Sequence, residues 1–197
     1  MPQQNTPQVE IPKLLQIART AALEAGRAIL EVYASGDFNQ TAKADNSPLT
    51  LADKAAHDII IKHLLNTKLS ILSEEGMHAH YIERKGWEWY WMVDPLDGTK
   101  EFLKRNGEFT VNIALMHFTD PVAGVIYAPV LDTLYYGAAE TGAFKVESGE
   151  TISLEPAQEK VSLATLLEKP EVTVVASRSH LTPETVKFTE QFRKVEF

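Results

Sequence analysis

The sequence predicts an α+β layered domain, with helices first along the chain and a run of strands after them. Apolar residues recur at a helical period from Leu14 to Val32, and again from Leu51 to Leu65. Short alternating apolar segments follow between residues 70 and 146, separated by turn residues. This order favours helices packed as a layer against a strand meander. The arrangement is that of a helix and antiparallel-sheet sandwich.

The ends of both predicted helices carry suitable residues. Pro12 lacks a backbone N–H and suits a first helical turn, while Gly36 tolerates the left-handed conformation that often ends a helix. The second helix is predicted from about Thr50 to Leu65, and Thr50 and Asp53 have the spacing of a capping box. We expect residues 1–12 to be a disordered lead.

The strand meander is expected to lie in an N-terminal domain of residues 13–155. Its predicted strands are residues 70–73, 87–93, 109–118, 122–128, 133–138 and 143–146. Short connections predict antiparallel pairing. Trp87, Trp89 and Trp91 share one face of their strand, which indicates core packing more than base stacking. A linker at 156–170 and the start of a C-terminal α/β domain at 171–197 are expected to follow, with a strand at 171–176 and a helix at 183–192.

The composition is that of an ordinary globular protein and disfavours several functions. Hydrophobic residues make up 44% and charged residues 23%. The formal net charge is −8 without a basic run, which argues against binding a nucleic-acid polymer. There is no cysteine, so disulfides and thiolate metal sites are excluded. No segment has the length of a transmembrane helix and the N-terminus lacks a signal-peptide pattern, so we expect a cytoplasmic protein.

Three acidic residues come directly after predicted strands. Glu74 follows one strand, and Asp94 and Asp97 follow the next. Magnesium prefers such hard oxygen ligands, and an Asp-x-x-Asp turn can also direct the Leu96 carbonyl into the same volume. That volume could hold two metal ions about 3.5–4 Å apart, as in two-metal phosphoryl transfer. Gly98 then frees the backbone, and a short helix predicted at 100–104 would present its first N–H groups to an anion.

Each of these motifs has an ordinary structural interpretation when taken alone. Asp-x-x-Asp-Gly is usually a surface turn, and Glu-Glu-Gly is usually a solvated loop. Other sites fit less well: His78 and His80 could suggest zinc but lack a third imidazole, and a haloacid-dehalogenase-like site needs aspartates two residues apart. The order and combination of the motifs therefore decide the interpretation.

Three segments together resemble the lithium-sensitive phosphatases related to inositol monophosphatase. They are K-x-D-x-S-P-L-T-x-A-D at 43–53, S-E-E-G at 73–76 and D-P-L-D-G-T-K-E-F at 94–102. Within this family, residues 100–102, 106–113 and 177–180 resemble the CysQ-type 3'(2'),5'-bisphosphate nucleotidases. The resemblance covers nearly the whole chain after residue 12.

The resemblance implies roles for the matching residues. Asp53 would hydrogen-bond Thr99, and this pair with Glu74 would orient a metal-bound water, so the implied catalytic residues are Asp53, Glu74 and Thr99. The implied magnesium ligands are Glu74, Asp94, Leu96 and Asp97. The implied substrate contacts are Lys43, Glu74, Leu96, Asp97, Gly98, Thr99, Ser177, Arg178 and His180.

The activity implied by the resemblance is magnesium-dependent hydrolysis of the 3'-phosphate of adenosine 3',5'-bisphosphate, giving AMP and phosphate. Two or three magnesium ions would serve the complete enzyme, and a homodimer is compatible with the family. One alternative is an inositol or sugar phosphatase with the same metal site. The other is a non-catalytic module that binds only a metal or a partner.

The sequence departs from the family pattern in one respect. Family members carry a later metal-binding aspartate in a Trp-Asp-type motif within a second α/β domain, and no such motif follows Asp97 here. We therefore expect that domain to be largely missing from a C-terminally truncated chain. The expected consequence is weak or no activity for the isolated 197-residue chain.

Overall fold

A computed structural model describes residues 9–36, 41–42, 48–76, 79–155, 161–176 and 182–196. The chain divides into two compact units, one up to Leu154 and one from Glu155. The helices of the first unit are α1 (Ile11–Ser35), α2 (Leu51–Leu64), α3 (Tyr81–Arg84) and α4 (Thr99–Lys104). Its strands are β1 (Thr41–Ala42), β2 (Pro48–Leu49), β3 (Ser70–Ser73), β4 (Trp89–Asp97), β5 (Thr110–His117), β6 (Asp120–Ala128), β7 (Thr133–Ala138), β8 (Gly142–Glu147) and β9 (Glu150–Leu154). The second unit contains α5 (Leu163–Glu168), β10 (Val172–Thr173), α6 (Pro183–Thr189) and β11 (Val195–Glu196).

Helix α1 lies against α2 and the middle of the sheet, as its apolar stripe requires. Proline occupies the first turn and Gly36 ends the helix with a left-handed φ of 72°. The buried positions are mostly small, and a β-carbon on Gly26 would lie 2.3 Å from the ring of Tyr127. The small residues therefore bring the helix into close contact with β6. Since α1 begins at Ile11, the predicted lead was two residues too long.

Helix α2 begins with the predicted capping box. The side chain of Thr50 accepts from the backbone N–H groups of Ala52 and Asp53, and Asp53 in turn accepts from the Thr50 backbone N–H at 2.8 Å. Both capping residues are buried, at 1% and 0% exposure. The cap therefore fixes the Asp53 carboxylate at the N-terminal end of a helix that packs on α1 and β4.

Seven strands form one sheet in the order β3-β4-β5-β6-β7-β8-β9. Every neighbouring pair is antiparallel except β3 and β4, which are parallel. The expectation of antiparallel pairing throughout was wrong for this pair. Residues 74–88 lie between the two strands and include α3, so the connection is long enough for a parallel crossover. The parallel pair places the carboxyl ends of β3 and β4 at the same edge.

Strand β4 was predicted to end at Val93 but continues to Asp97. Its pairing with β5 is regular up to Asp94 opposite Asn112, then shifts before Asp97 meets Thr110. Proline has no backbone N–H to donate to a neighbouring strand, and Pro95 lies within this irregular stretch. The acidic motif is thus a bulged end of the strand and not a free loop.

The prediction that the tryptophans belong to the core is confirmed for Trp91. This residue is 1% exposed, and its indole N–H donates to Thr67 Oγ1 at 2.9 Å. Trp89 is half-buried and stacks on His117, whereas Trp87 precedes the strand.

Further differences concern short elements. Helix α3 and strand β9 were not predicted, and α5 lies within the stretch expected to be a linker. In the second unit, the predicted strand at 171–176 is reduced to β10, which pairs in parallel with β11, and α6 ends at Thr189. No helix in the described ranges has both the length and the apolar character needed to cross a bilayer.

Candidate active site

The N-terminal ends of α2 and α4 meet at a pair of side chains. Thr99 Oγ1 lies 3.2 Å from Asp53 Oδ1 and 3.3 Å from the carbonyl oxygen of Leu96. A hydroxyl has only one hydrogen, and a carboxylate is a stronger acceptor than a peptide carbonyl. The geometry therefore favours donation to Asp53, which leaves the Leu96 oxygen available to another group. Because Asp53 Oδ2 already accepts from Thr50, the carboxylate is held on both sides.

Gly98 makes the turn between β4 and α4 possible. Its φ of 96° lies in the left-handed region, and a β-carbon there would come 2.9 Å from the Glu108 carbonyl oxygen and 3.3 Å from Phe109 Cα. A side chain would therefore be strained and would also collide with the start of β5. The glycine lets the backbone fold against β5 and brings Thr99 next to Asp53.

Three carboxylates gather at the edge where β3 and β4 end. The Glu74 N–H donates to the Val93 carbonyl at 3.0 Å, which extends the parallel pairing up to Asp94. The pKa of Asp94 is raised to about 7. Burial is the largest cause, followed by the charges of Glu74 and Asp97 and a hydrogen bond with Glu74. The Leu96 N–H donates to Asp94 Oδ1 at 3.2 Å and partly opposes this shift. The site thus concentrates negative charge.

Two residues outside the predicted set orient these acids. Asn112 donates from Nδ2 to Asp97 Oδ2 at 3.1 Å, and the Thr110 hydroxyl donates to the side-chain oxygen Oδ1 of Asn112 at 3.1 Å, which fixes the direction of the side-chain amide. Both residues lie in segment 106–113, which carries part of the family resemblance, and strand register places Asn112 opposite Asp94.

His57 provides a second link, between α2 and the end of β3. It lies one turn after Asp53, and its Nδ1 is 2.9 Å from the hydroxyl oxygen of buried Ser73. Ser73 directly precedes Glu74, so this contact ties the helix that holds Asp53 to the strand that positions Glu74. The four-residue spacing from Asp53 was the only sequence signal for it.

The donor set at this edge has the chemistry that magnesium prefers, because it contains carboxylate and carbonyl oxygens only. Within the described ranges, no three acidic or histidine side chains converge as a preformed metal cluster. Asp94 and Glu74 instead share a hydrogen bond. Because two neighbouring carboxylates repel each other, the protonated form of Asp94 is favoured, and its proton supplies the hydrogen of this bond. The residues that could converge on a divalent cation are Glu74, Asp94 and Asp97.

The remaining predicted site residues lie outside the described residues. They are Lys43, Ser177, Arg178 and His180, and the alternative zinc ligand His78 is outside as well.

Comparison with known proteins places the chain in a family. The sequence profile of the Inositol monophosphatase family matches residues 10–195, nearly the whole chain. The chain belongs to the inositol monophosphatase family. One relative is the 3'(2'),5'-bisphosphate nucleotidase CysQ of Salmonella typhimurium, which is 44% identical over 184 residues. The matched region covers 92% of this chain and 68% of that protein.

Solved structures agree with this family membership. CysQ from Bacteroides thetaiotaomicron, a bacterial member of the inositol monophosphatase family, matches with a TM-score of 0.74 and 44% identity, over 95% of this chain and 72% of that one. Inositol monophosphatase II from Staphylococcus aureus matches with a TM-score of 0.66 and 25% identity, over 93% and 64%. SaIMPase-II has been solved with 2'AMP and with inositol monophosphate bound. The predicted family and layered α+β fold are confirmed.

Proposed function

We propose that this chain is a magnesium-dependent phosphatase that hydrolyses the 3'-phosphate of adenosine 3',5'-bisphosphate to AMP and phosphate. The observation that carries the proposal is the Thr99–Asp53 hydrogen bond beside the carboxylates of Glu74, Asp94 and Asp97. The identity of 44% to a 3'(2'),5'-bisphosphate nucleotidase supports the substrate class.

We assign Glu74, Asp94, Asp97 and the Leu96 carbonyl as the magnesium ligands. Magnesium, when bound, supplies a Lewis acid for the phosphate oxygens and a water of lowered pKa. The Asn112 amide donates to Asp97 and the Leu96 N–H donates to Asp94, so a hydrogen bond restrains each of these two carboxylates.

The Thr99 hydroxyl is assigned to orient the attacking water. While its hydrogen is donated to Asp53, its oxygen can accept a hydrogen bond from that water and align a lone pair with phosphorus. Asp53 is a suitable anchor because it is buried and held by the helix cap. The Gly98 and Thr99 backbone is assigned to bind the scissile phosphate, and no covalent phosphoenzyme is required.

Lys43, Ser177, Arg178 and His180 are retained as proposed substrate contacts, on the basis of the motifs alone. An inositol phosphate remains the second candidate substrate. The specific reason is that SaIMPase-II, which shares the fold and 25% identity, has been solved with either a nucleotide or inositol monophosphate bound.

Phosphate release measured with each substrate distinguishes the candidates. For the 197-residue chain we expect weak release from adenosine 3',5'-bisphosphate in magnesium that still exceeds release from inositol phosphate, with 5'-AMP as the matched control lacking the 3'-phosphate. Faster release from inositol phosphate would transfer the assignment to the second candidate. Magnesium binding without release from any of the three would contradict the catalytic proposal.

A further inference from the structure

A cavity lies at the amino end of β4, away from the acidic residues. It has a volume of about 340 Å³, and its wall includes Leu72 of β3 and Tyr90 of β4. Tyr90 precedes Asp94 by four residues, and a strand rises roughly 3.3 Å per residue, so the two positions are about 13 Å apart. The cavity is therefore separate from the candidate active site.

Two cationic side chains line this cavity without a balancing acid. Arg84 and Lys85 both contribute to the wall, and none of the lining residues is an aspartate or glutamate. Among the described residues, the ion pairs that form involve neither of these two cations. In a chain of net charge −8, an unbalanced pair of cations in a concave site favours an anion locally.

The guanidinium of Arg84 is also incompletely hydrogen-bonded. Its Nε is buried and has no hydrogen-bond partner. Burial has removed this atom from water without supplying an acceptor, so part of the hydration of the cation is lost. An anion held by the rest of the guanidinium would offset the charge of this partly dehydrated cation, and the planar guanidinium is suited to bidentate binding of a phosphate or carboxylate.

Aromatic side chains complete the cavity. The Trp87 and Tyr90 rings lie 5.7 Å apart, and Tyr81 and Phe118 contribute at 72% and 56% exposure. Phe118 has a φ of +53°, which is unfavourable for a bulky residue. Its N–H donates to the Glu88 carbonyl at 2.7 Å and holds it there. Phe118 lies in the two-residue turn between β5 and β6, and this turn presents its exposed ring beside the two cations.

We propose that this cavity binds a small aromatic anion, a planar ring that carries a phosphate or a carboxylate. Arg84 and Lys85 hold the anionic group, and the rings of Trp87 and Phe118 contact the planar part. The volume lies near the lower end of the roughly 300–1,000 Å³ typical of small-molecule sites, so a single or fused ring fits better than a larger ligand. The inference does not depend on the proposed phosphatase activity.

Titration with phenyl phosphate, benzoate and inorganic phosphate tests the proposal. Binding is followed by calorimetry and tryptophan fluorescence in EDTA, so that no divalent cation can hold phosphate at the acidic site. We expect saturable binding of both aromatic anions, with phenyl phosphate at least about threefold tighter than inorganic phosphate because the rings add stacking contacts. Arg84→Gln should weaken binding by about tenfold or more, whereas Arg193→Gln, at an exposed position in the second unit, should leave it unchanged.

Two more variants separate binding from folding. Lys85→Gln removes an exposed charge and should weaken both aromatic anions and inorganic phosphate. Phe118→Asn removes the ring and introduces a residue that tolerates positive φ. It should therefore weaken the binding of phenyl phosphate and benzoate but not the binding of inorganic phosphate. Thermal melts establish that each variant is folded. The proposal is overturned if wild type shows no saturable binding, or if Arg84→Gln and Lys85→Gln bind like Arg193→Gln.

Discussion

The two ends of β4 carry opposite charges. At the carboxyl end, Glu74, Asp94 and Asp97 gather acidic charge, and burial together with the charges of Glu74 and Asp97 raises the pKa of Asp94 to about 7. At the amino end, Arg84 and Lys85 line a cavity without a lining acid, and the Arg84 Nε is left without a partner. Each site is therefore lined by ionisable side chains of a single sign. The difference indicates that one end suits a cation and the other an anion.

The two ends also differ in how firmly their side chains are held. At the carboxyl end, hydrogen bonds join Thr99 to Asp53, Asn112 to Asp97 and His57 to Ser73. At the amino end, Tyr81 and Phe118 are largely exposed. Catalysis requires side chains held in a fixed geometry, whereas ligand binding tolerates side chains that adjust when the ligand binds. The rigid end is accordingly the candidate catalytic one.

The largest expected effect comes from removing a charge at the carboxyl end. Asp97→Asn should lower turnover by about 100- to 1,000-fold. The proposed magnesium site would lose a charged ligand, and the metal would then stabilise the transition state less well. Asp120→Asn makes the same change at the exposed start of β6 and should leave turnover unchanged. Steady-state phosphate release measures both. A loss below about tenfold for Asp97→Asn would remove this residue from the site.

A smaller loss is expected when the orienting hydroxyl is removed. Thr99→Val keeps the shape of the side chain but cannot donate to Asp53 or hold a water, so turnover should fall by about 100-fold. Magnesium affinity should stay within about threefold, because no metal ligand is changed. Thr20→Val, at a half-buried position of α1, makes the same change outside the proposed site and is the control. Equal losses in turnover and metal affinity would instead make Thr99 part of the metal site.

Alanine substitution at Gly98 and at Gly142 separates the cost of left-handed backbone strain from the cost of a steric clash. Gly98→Ala should lower the free energy of unfolding by about 2–3 kcal/mol, because it adds left-handed strain and a contact with the Glu108 carbonyl oxygen. Gly142→Ala shares the positive φ, at 82°, but its β-carbon meets nothing within 4 Å, so it should lose only about 1 kcal/mol. Chemical denaturation compares the two. Equal losses would show that the turn can move away from β5.

The smallest expected effect is a pH dependence of stability without metal. The pKa of Asp94 is about 7 in the fold against an ordinary 3.8, so the folded chain binds this proton more tightly than the unfolded chain does. The resulting stabilisation is complete below pH 4 and is lost as pH rises to 7. Allowing for solvent screening, Asp94→Asn should be more stable than wild type by about 1–2 kcal/mol at pH 8 and equal to it near pH 4. A difference that does not change with pH would contradict the assignment.

The acidic site could be anticipated because its parts are local in sequence. Asp94, Asp97 and Gly98 follow one strand within a few residues, and Glu74 follows another. The contact between Asp53 and Thr99, 46 residues apart, required the resemblance to a family. The continuation of β4 to Asp97 was missed because Asp-Pro and Asp-Gly are turn signals, whereas pairing with β5 keeps this segment in the sheet.

The features that sequence reasoning missed depend on tertiary contacts or lack a core pattern. Strand β9 is exposed along its whole length, so it carries no alternation of buried and exposed residues. Helix α3 has a single turn, too short for a helical period. The cavity at the amino end of β4 brings Arg84 together with Phe118, 34 positions later in the chain. Only the folded sheet places them on one surface.

Calorimetric titration of magnesium tests the central claim most directly. The carboxyl end of β4 should bind magnesium saturably in wild type and in Asp120→Asn, and binding should be lost in Asp94→Asn, which keeps the shape of the side chain but not its charge. Because the metal must displace the Asp94 proton, affinity should also fall as pH drops below about 7. Magnesium binding that is the same in Asp94→Asn as in wild type would contradict the account.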